Sequence, residues 1–216
     1  MPLLSTDTLS PDCQLVRWQI TEDEPTLARQ LVLTADEQAD LNGITHPGQR
    51  VEWLACRVAL KSLIEDAGFP YMGLYKDEWG KPHLFSSVRG TFLPGHVSLS
   101  HTPGWAVAAW HFARPIGVDV EPIRDQFTRV VPRVLSATEI ADANGQPDRL
   151  AVYWCAKEAM YKLYGKRQLT FREHLLVDSF ANGATQLTGH VRLPDAYTAV
   201  TIHCQHVAPG LVAVAY

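Results

Sequence analysis

LTADEQADLNG, Leu33 to Gly43, and LSATEIADANG, Leu135 to Gly145, are identical at seven of eleven positions at an offset of 102, where unrelated segments would share about one. Two more pairs follow in the same order: WLACRVALK from Trp53 with WCAKEAMYK from Trp154, and PGWAVAAW from Pro103 with PGLVAVAY from Pro209. Ordered self-similarity of this kind indicates an internal duplication. Each copy reads as a strand, a short helix, a long helix and then a few strands. Pro47 and Pro147 stand where the long helices should begin, and Gly68 and Gly165 just past where they should end. Proline suits the first helical turn and glycine the residue after the last. The expected class is α+β: a pseudo-twofold pair of similar lobes, residues 1–112 and 113–216, with the active site in the cleft between them.

Composition narrows the function classes. A chain of 216 residues, 46% hydrophobic and 19% charged, can bury a real core. Its formal net charge of −4 argues against a general nucleic-acid or membrane-surface binder, so a polyanionic ligand must find a focused site. Cys13, Cys56, Cys155 and Cys204 form no CxxC pair, which leaves no zinc ribbon or redox pair and fits reduced thiols. The N-terminus lacks the basic and apolar regions of a signal peptide, and the apolar runs are too short to span a bilayer, so a cytoplasmic protein is expected. There is no P-loop, GxGxxG or HExxH. His203, Cys204 and His206 fit no zinc spacing and stay unassigned.

The two copies differ where chemistry would need them to. GVDVE, Gly117 to Glu121, corresponds to LVRWQ, Leu15 to Gln19. Strand alternation puts Asp119 and Glu121 on one face and Val118 and Val120 on the other; taken alone, the pair reads as a wet edge strand. Trp53, Arg57 and Lys61 share one helical stripe, and its counterpart is Trp154, Glu158 and Lys162. Taken alone, Glu158 and Lys162 read as a surface ion pair of about 0.3–0.5 kcal/mol, although a Trp on the stripe argues against a fully solvated face. Together, three carboxylates, a lysine and a basic stripe in the other copy suit a magnesium-bound pyrophosphate.

GVDVEPI, followed 39 residues after its Asp by the Glu of WCAKEAMYK, closely resembles the paired signature of the 4′-phosphopantetheinyl transferases of the surfactin-synthetase type. EWGKPHL, Glu78 to Leu84, and VSLSHTPGWAVAA, Val97 to Ala109, match the same family, and the resemblance runs from Gln49 to Gly165. It implies a monomer of two lobes that moves the phosphopantetheine arm of coenzyme A to a serine of an acyl or peptidyl carrier protein, releasing adenosine 3′,5′-bisphosphate. Asp119, Glu121 and Glu158 then resemble the Mg²⁺ ligands, with Lys162 and Lys81 at the pyrophosphate and Ser100 beside them. His101 resembles the histidine at the 3′-phosphate, and Arg57 or Arg50 the basic residues of the same nucleotide end.

The implied catalytic set is Glu158, Lys162 and Asp119. The carrier serine attacks the β-phosphorus, Mg²⁺ and Lys162 stabilise the developing charge, and Glu158 or a metal-bound water takes the proton. Arg124, Arg129, Arg133, Lys166 and Arg167 would form a basic rim that steers acidic carriers, or simply solvated surface. The other function class compatible with these residues is a coenzyme A-binding sensor or inactive partner without transferase activity.

Overall fold

The chain separates between Pro115 and Ile116 into two units, each with its own apolar core. The computed structural model describes residues 4–85, 94–122, 131, 133–207 and 210–216; Arg124 and Arg129 of the expected basic rim lie outside the described residues. The first unit runs β1 (Leu4–Ser10), β2 (Cys13–Gln19), α1 (Glu24–Ala28), α2 (Ala35–Gly43) and α3 (Pro47–Asp66). The short hairpin β3 (Leu74–Lys76) and β4 (Pro82–Leu84) follows, then β5 (His96–Thr102) and β6 (Trp105–His111). Its main sheet has the order β1-β2-β6-β5, antiparallel throughout. Leu54, Val58 and Leu60 of α3 pack with Val16, Ala106 and Ala108 of the sheet.

The second unit runs β7 (Gly117–Pro122), α4 (Ala137–Ala143), α5 (Pro147–Tyr164), α6 (Phe171–His174), β8 (Leu175–Val177), β9 (Gln186–Leu193), β10 (Ala196–Val207) and β11 (Gly210–Ala215). The sheet order is β7-β11-β10-β9-β8, again antiparallel. In both units the strand before the helices pairs with the last strand, which pairs with the one before it: β2-β6-β5 in the first, β7-β11-β10 in the second. Both long helices begin at a proline, and α5 stops at Gly165, whose φ of 72° is open to glycine at little cost. All four cysteines are buried and none is in a disulfide. Among the described residues no helix is long and apolar enough to cross a membrane.

Helices α2 and α4 each open with a capping box. Thr34 with Glu37, and Ser136 with Glu139, exchange side-chain and backbone hydrogen bonds. Both glutamates are nonetheless buried, because the long helix supplies each with a cation: Arg57 Nε donates to Glu37 at 2.9 Å, and Lys157 Nζ to Glu139 at 2.6 Å. Glu139 also accepts from the backbone N–H of Val177 at 2.8 Å, and Lys157 donates to the carbonyls of Val134 and Phe171. The pair therefore joins α4, α5, α6 and β8 through one saturated network.

β7 is held against α5 by close backbone approach. A Cβ on Gly117 would stand 1.9 Å from the carbonyl oxygen of Ala159 and 2.4 Å from the amide nitrogen of Leu163, so only glycine permits the contact. Ala159 and Leu163 directly follow Glu158 and Lys162, and this contact sets how far those two side chains stand from the acidic strand.

Two stability outcomes follow from these contacts. Glu139→Ala strands a fully buried ammonium and is expected to lower unfolding free energy by about 3–5 kcal/mol in denaturant melts. Gly117→Ala must push α5 off β7, and a loss of about 1–3 kcal/mol is expected from overpacking; a melt unchanged from the parent would show that the approach is not required.

Candidate active site

On β7, Asp119 lies opposite Ala213 and Glu121 opposite Leu211 of β11. Alternation puts both carboxylates on the face of the sheet that α5 covers, and Asp119 is only 5% exposed. Lys162 Nζ donates to Asp119 Oδ1 at 2.8 Å and to the carbonyl of Val118 at 3.0 Å. Trp154 Nε1 donates to Glu121 Oε1 at 3.2 Å. The thiol of Cys155 donates to the carbonyl of Asp119. The stripe of Trp154, Glu158 and Lys162 thus faces the acidic strand, and the pair is no wet edge.

Glu158 sits between these contacts. Its pKa is raised to about 7, first by burial and then by the charges of Asp119 and Glu121, with Lys162 acting in the opposite direction. The three carboxylates are near enough to feel one another, as like charges on one face must. Among the described residues, however, no three His, Cys, Asp or Glu side chains are gathered as a ready metal cage. The donor set is all oxygen, which suits a hard cation such as Mg²⁺ that keeps several waters and binds through one or two carboxylates.

The duplication explains why position 158 is available for an acid. In the first unit Arg57, the counterpart of Glu158, neutralises the capping glutamate Glu37. In the second unit that task falls to Lys157, one residue earlier. One step along a helix turns a side chain by roughly 100°, so Lys157 points into the core network and the next residue is released toward β7.

The sequence-predicted residues of the first unit fall into separate settings. Arg57 is 4% exposed; besides Glu37 it donates to the carbonyl of Trp53, and its guanidinium lies over the Trp53 ring. Arg50, in the first turn of α3, grips Glu24 with two nitrogens and the carbonyls of Leu41 and Ile44 with a third. His101 Nδ1 lies 2.8 Å from Glu52 Oε2. Ser100 is buried, and its carbonyl accepts from the Cys56 thiol. Lys81 follows the turn in which Asp77 accepts the N–H groups of Trp79 and Lys81; burial pulls its pKa down to about 8 against the opposing charge of Asp77.

Arg57 and His101 line a cavity of about 490 Å³ together with Asp36, Asp40, Trp53 and Tyr75; Arg50, Lys81 and Ser100 are not part of its lining. Asp40 and Tyr75 carried no sequence signal as cavity residues. Glu37 and Glu139 were legible as capping residues from T-x-x-E and S-x-x-E, but not as buried ion-pair members.

A family model described as the 4′-phosphopantetheinyl transferase superfamily matches residues 115–215. The chain is 30% identical over 141 residues to the 4′-phosphopantetheinyl transferase Sfp of Bacillus subtilis (strain 168), covering 62% of this chain and 57% of that protein. It is 40% identical over 76 residues to the 4′-phosphopantetheinyl transferase psf-1 of Bacillus pumilus, 33% of this chain and 32% of the relative. A holo-[acyl-carrier-protein] synthase of Staphylococcus aureus (strain JH9) is 33% identical over 94 residues, 39% of this chain and 75% of the synthase. The match to Sfp spans little more than half of that relative's length.

The electrostatics of Glu158 generate a stability test in metal-free buffer. Its folded pKa of about 7 lies above the ordinary 4.5, so its contribution is fully present below about pH 4.5 and is lost as pH rises through 7. Glu158→Gln removes that loss. With chelator present, the variant is expected to be more stable than the parent by about 1–3 kcal/mol at pH 8 and equal to it near pH 4.5, as read from denaturant unfolding at both pH values.

Proposed function

The chain belongs to the 4′-phosphopantetheinyl transferase superfamily, and from that premise we propose that it transfers the 4′-phosphopantetheine arm of coenzyme A to a serine of an apo acyl or peptidyl carrier protein, releasing adenosine 3′,5′-bisphosphate. The single observation that carries this reading is the meeting of Asp119, Glu121, Glu158 and Lys162 between β7 and α5. Binding alone does not call for three like charges in a half-dry site. A reaction that builds charge on phosphoryl oxygens does.

In this reading Asp119, Glu121 and Glu158 would hold Mg²⁺, and their mutual repulsion is the reason a dication would be welcome there. When bound, the metal supplies Lewis-acid stabilisation of the pyrophosphate oxygens. Lys162, now on Asp119, supplies a point charge to the same oxygens, and Lys81 with Ser100 serves the pyrophosphate from the first unit. Glu158, or a water held beside it, accepts the proton of the attacking serine. Trp154 fixes Glu121 by its indole N–H. The nucleotide end is received by the first unit, through Arg57 and His101 in its cavity and through Arg50, which anchors the start of α3. In this reading the protein is a cytoplasmic monomer of two similar lobes, the first contributing nucleotide contacts and the second the acidic residues.

The decisive experiment incubates the full chain with coenzyme A, Mg²⁺ and several acidic apo carrier proteins, and weighs the carriers. A gain of one phosphopantetheine on at least one carrier is expected, with Asp119→Ala reducing the rate by at least about 100-fold. Coenzyme A binding with no mass gain on any carrier would overturn the activity and leave a nucleotide-binding sensor.

A further inference from the structure

Two carboxylates of the acidic strand are held in different ways. Asp119 is met by the Lys162 ammonium at 2.8 Å, a cation that offsets the charge it orients. Glu121, half-buried near the end of β7, accepts from the indole Nε1 of Trp154 at 3.2 Å. An indole is a donor only and carries no charge, so it directs a carboxylate and leaves the negative charge intact.

Trp154 is itself braced. Its ring centroid lies 6.4 Å from that of Phe171, which lies 5.1 Å from that of Tyr161, and the Phe171 carbonyl accepts from Lys157 Nζ at 3.3 Å. The buried pair of Lys157 and Glu139 is thereby linked, through α6 and the aromatic contacts, to the indole that holds Glu121. The first unit supplies the comparison. Its counterpart, Trp53, offers a ring face to Arg57, whose guanidinium carbon stands 3.1 Å from the centroid, and the strand position that matches Glu121 is Gln19. Where the strand carries the acid, the tryptophan turns its N–H to it.

We propose that Trp154 is a positioning residue that sets the preference of this site for Mg²⁺ over a larger dication such as Ca²⁺. The proposal rests on the reading that Asp119, Glu121 and Glu158 hold Mg²⁺. That ion demands near-octahedral ligands at about 2.0–2.1 Å, whereas Ca²⁺ accepts a looser shell at about 2.3–2.6 Å. A Glu121 released to swing would still supply its charge, which serves the larger ion, but would no longer present an oxygen at a fixed place, which the smaller one needs. Hydrogen-bond partners of metal ligands are typically worth roughly 10–100-fold in metal affinity, and here that effect falls on Mg²⁺.

Denaturant unfolding of the full chain across a series of Mg²⁺ or Ca²⁺ concentrations yields each dissociation constant from the stabilisation. Trp154→Phe keeps an aromatic ring and removes the N–H; it is expected to weaken Mg²⁺ by about 10–100-fold and Ca²⁺ by no more than about threefold. Equal losses for the two ions would overturn the proposal, because a general disturbance of the site would explain them. In a Glu121→Gln background the effect of Trp154→Phe on Mg²⁺ is expected to shrink below about threefold; an undiminished effect would refute the route through Glu121. If Trp154→Phe does not fold, 3-benzothienylalanine at position 154, which has the indole's shape with sulfur in place of N–H, carries the same expectation. Unaltered Mg²⁺ affinity in either variant would overturn this role and leave the metal site standing, whereas a parent chain that Mg²⁺ does not stabilise, with coenzyme A present or absent, would overturn the metal reading and this role with it.

Discussion

In each unit a glutamate that caps the short helix is buried against a cation from the long helix, Glu37 with Arg57 and Glu139 with Lys157. The arrangement does two jobs with one side chain. It completes the helix start, where backbone N–H groups lack partners, and it locks the short helix to the long one through a charge that has nowhere else to go. A buried pair adds little net stability over an apolar substitute, but loss of either partner strands the other charge in the core. The long helix, and every site residue it carries, takes its position from that lock on one side and from the sheet on the other.

The sheet side is governed by backbone proximity. Gly117 lets α5 lie directly on β7, so that residues on the facing stripe reach the strand's carboxylates with short hydrogen bonds. The result is a half-dry group of carboxylates, and the proton affinity of Glu158 is raised there first by its burial and then by the charges of Asp119 and Glu121. Local rules of stability are commonly broken at functional sites, where perturbed proton affinities also cluster.

Much of this was legible in the sequence. The repeated capping segments, the prolines that open α3 and α5 and the glycines beyond them follow local rules of helix punctuation, and they located these elements. Period-two alternation in GVDVE placed Asp119 and Glu121 on one face, and the spacing of four placed Trp154, Glu158 and Lys162 on one stripe. Which face was dry was not legible, because that depends on a helix 26 residues or more away in sequence. Nor could sequence reveal that Arg57, Arg50 and His101 are each engaged by Glu37, Glu24 and Glu52. Those partners lie on other turns or other elements, and a cation read alone looks available.

The displacement of the core cation by one residue, Arg57 in the first unit and Lys157 in the second, also constrains the path by which the copies diverged. From an ancestor resembling the first unit, an acid could not have replaced the cation at position 158 first, since that would have left the buried Glu139 unpartnered and added a second charge nearby. With Lys157 in place the acid at 158 leaves Glu139 paired, and removing Lys157 alone would cost the fold before it touched the residues facing β7.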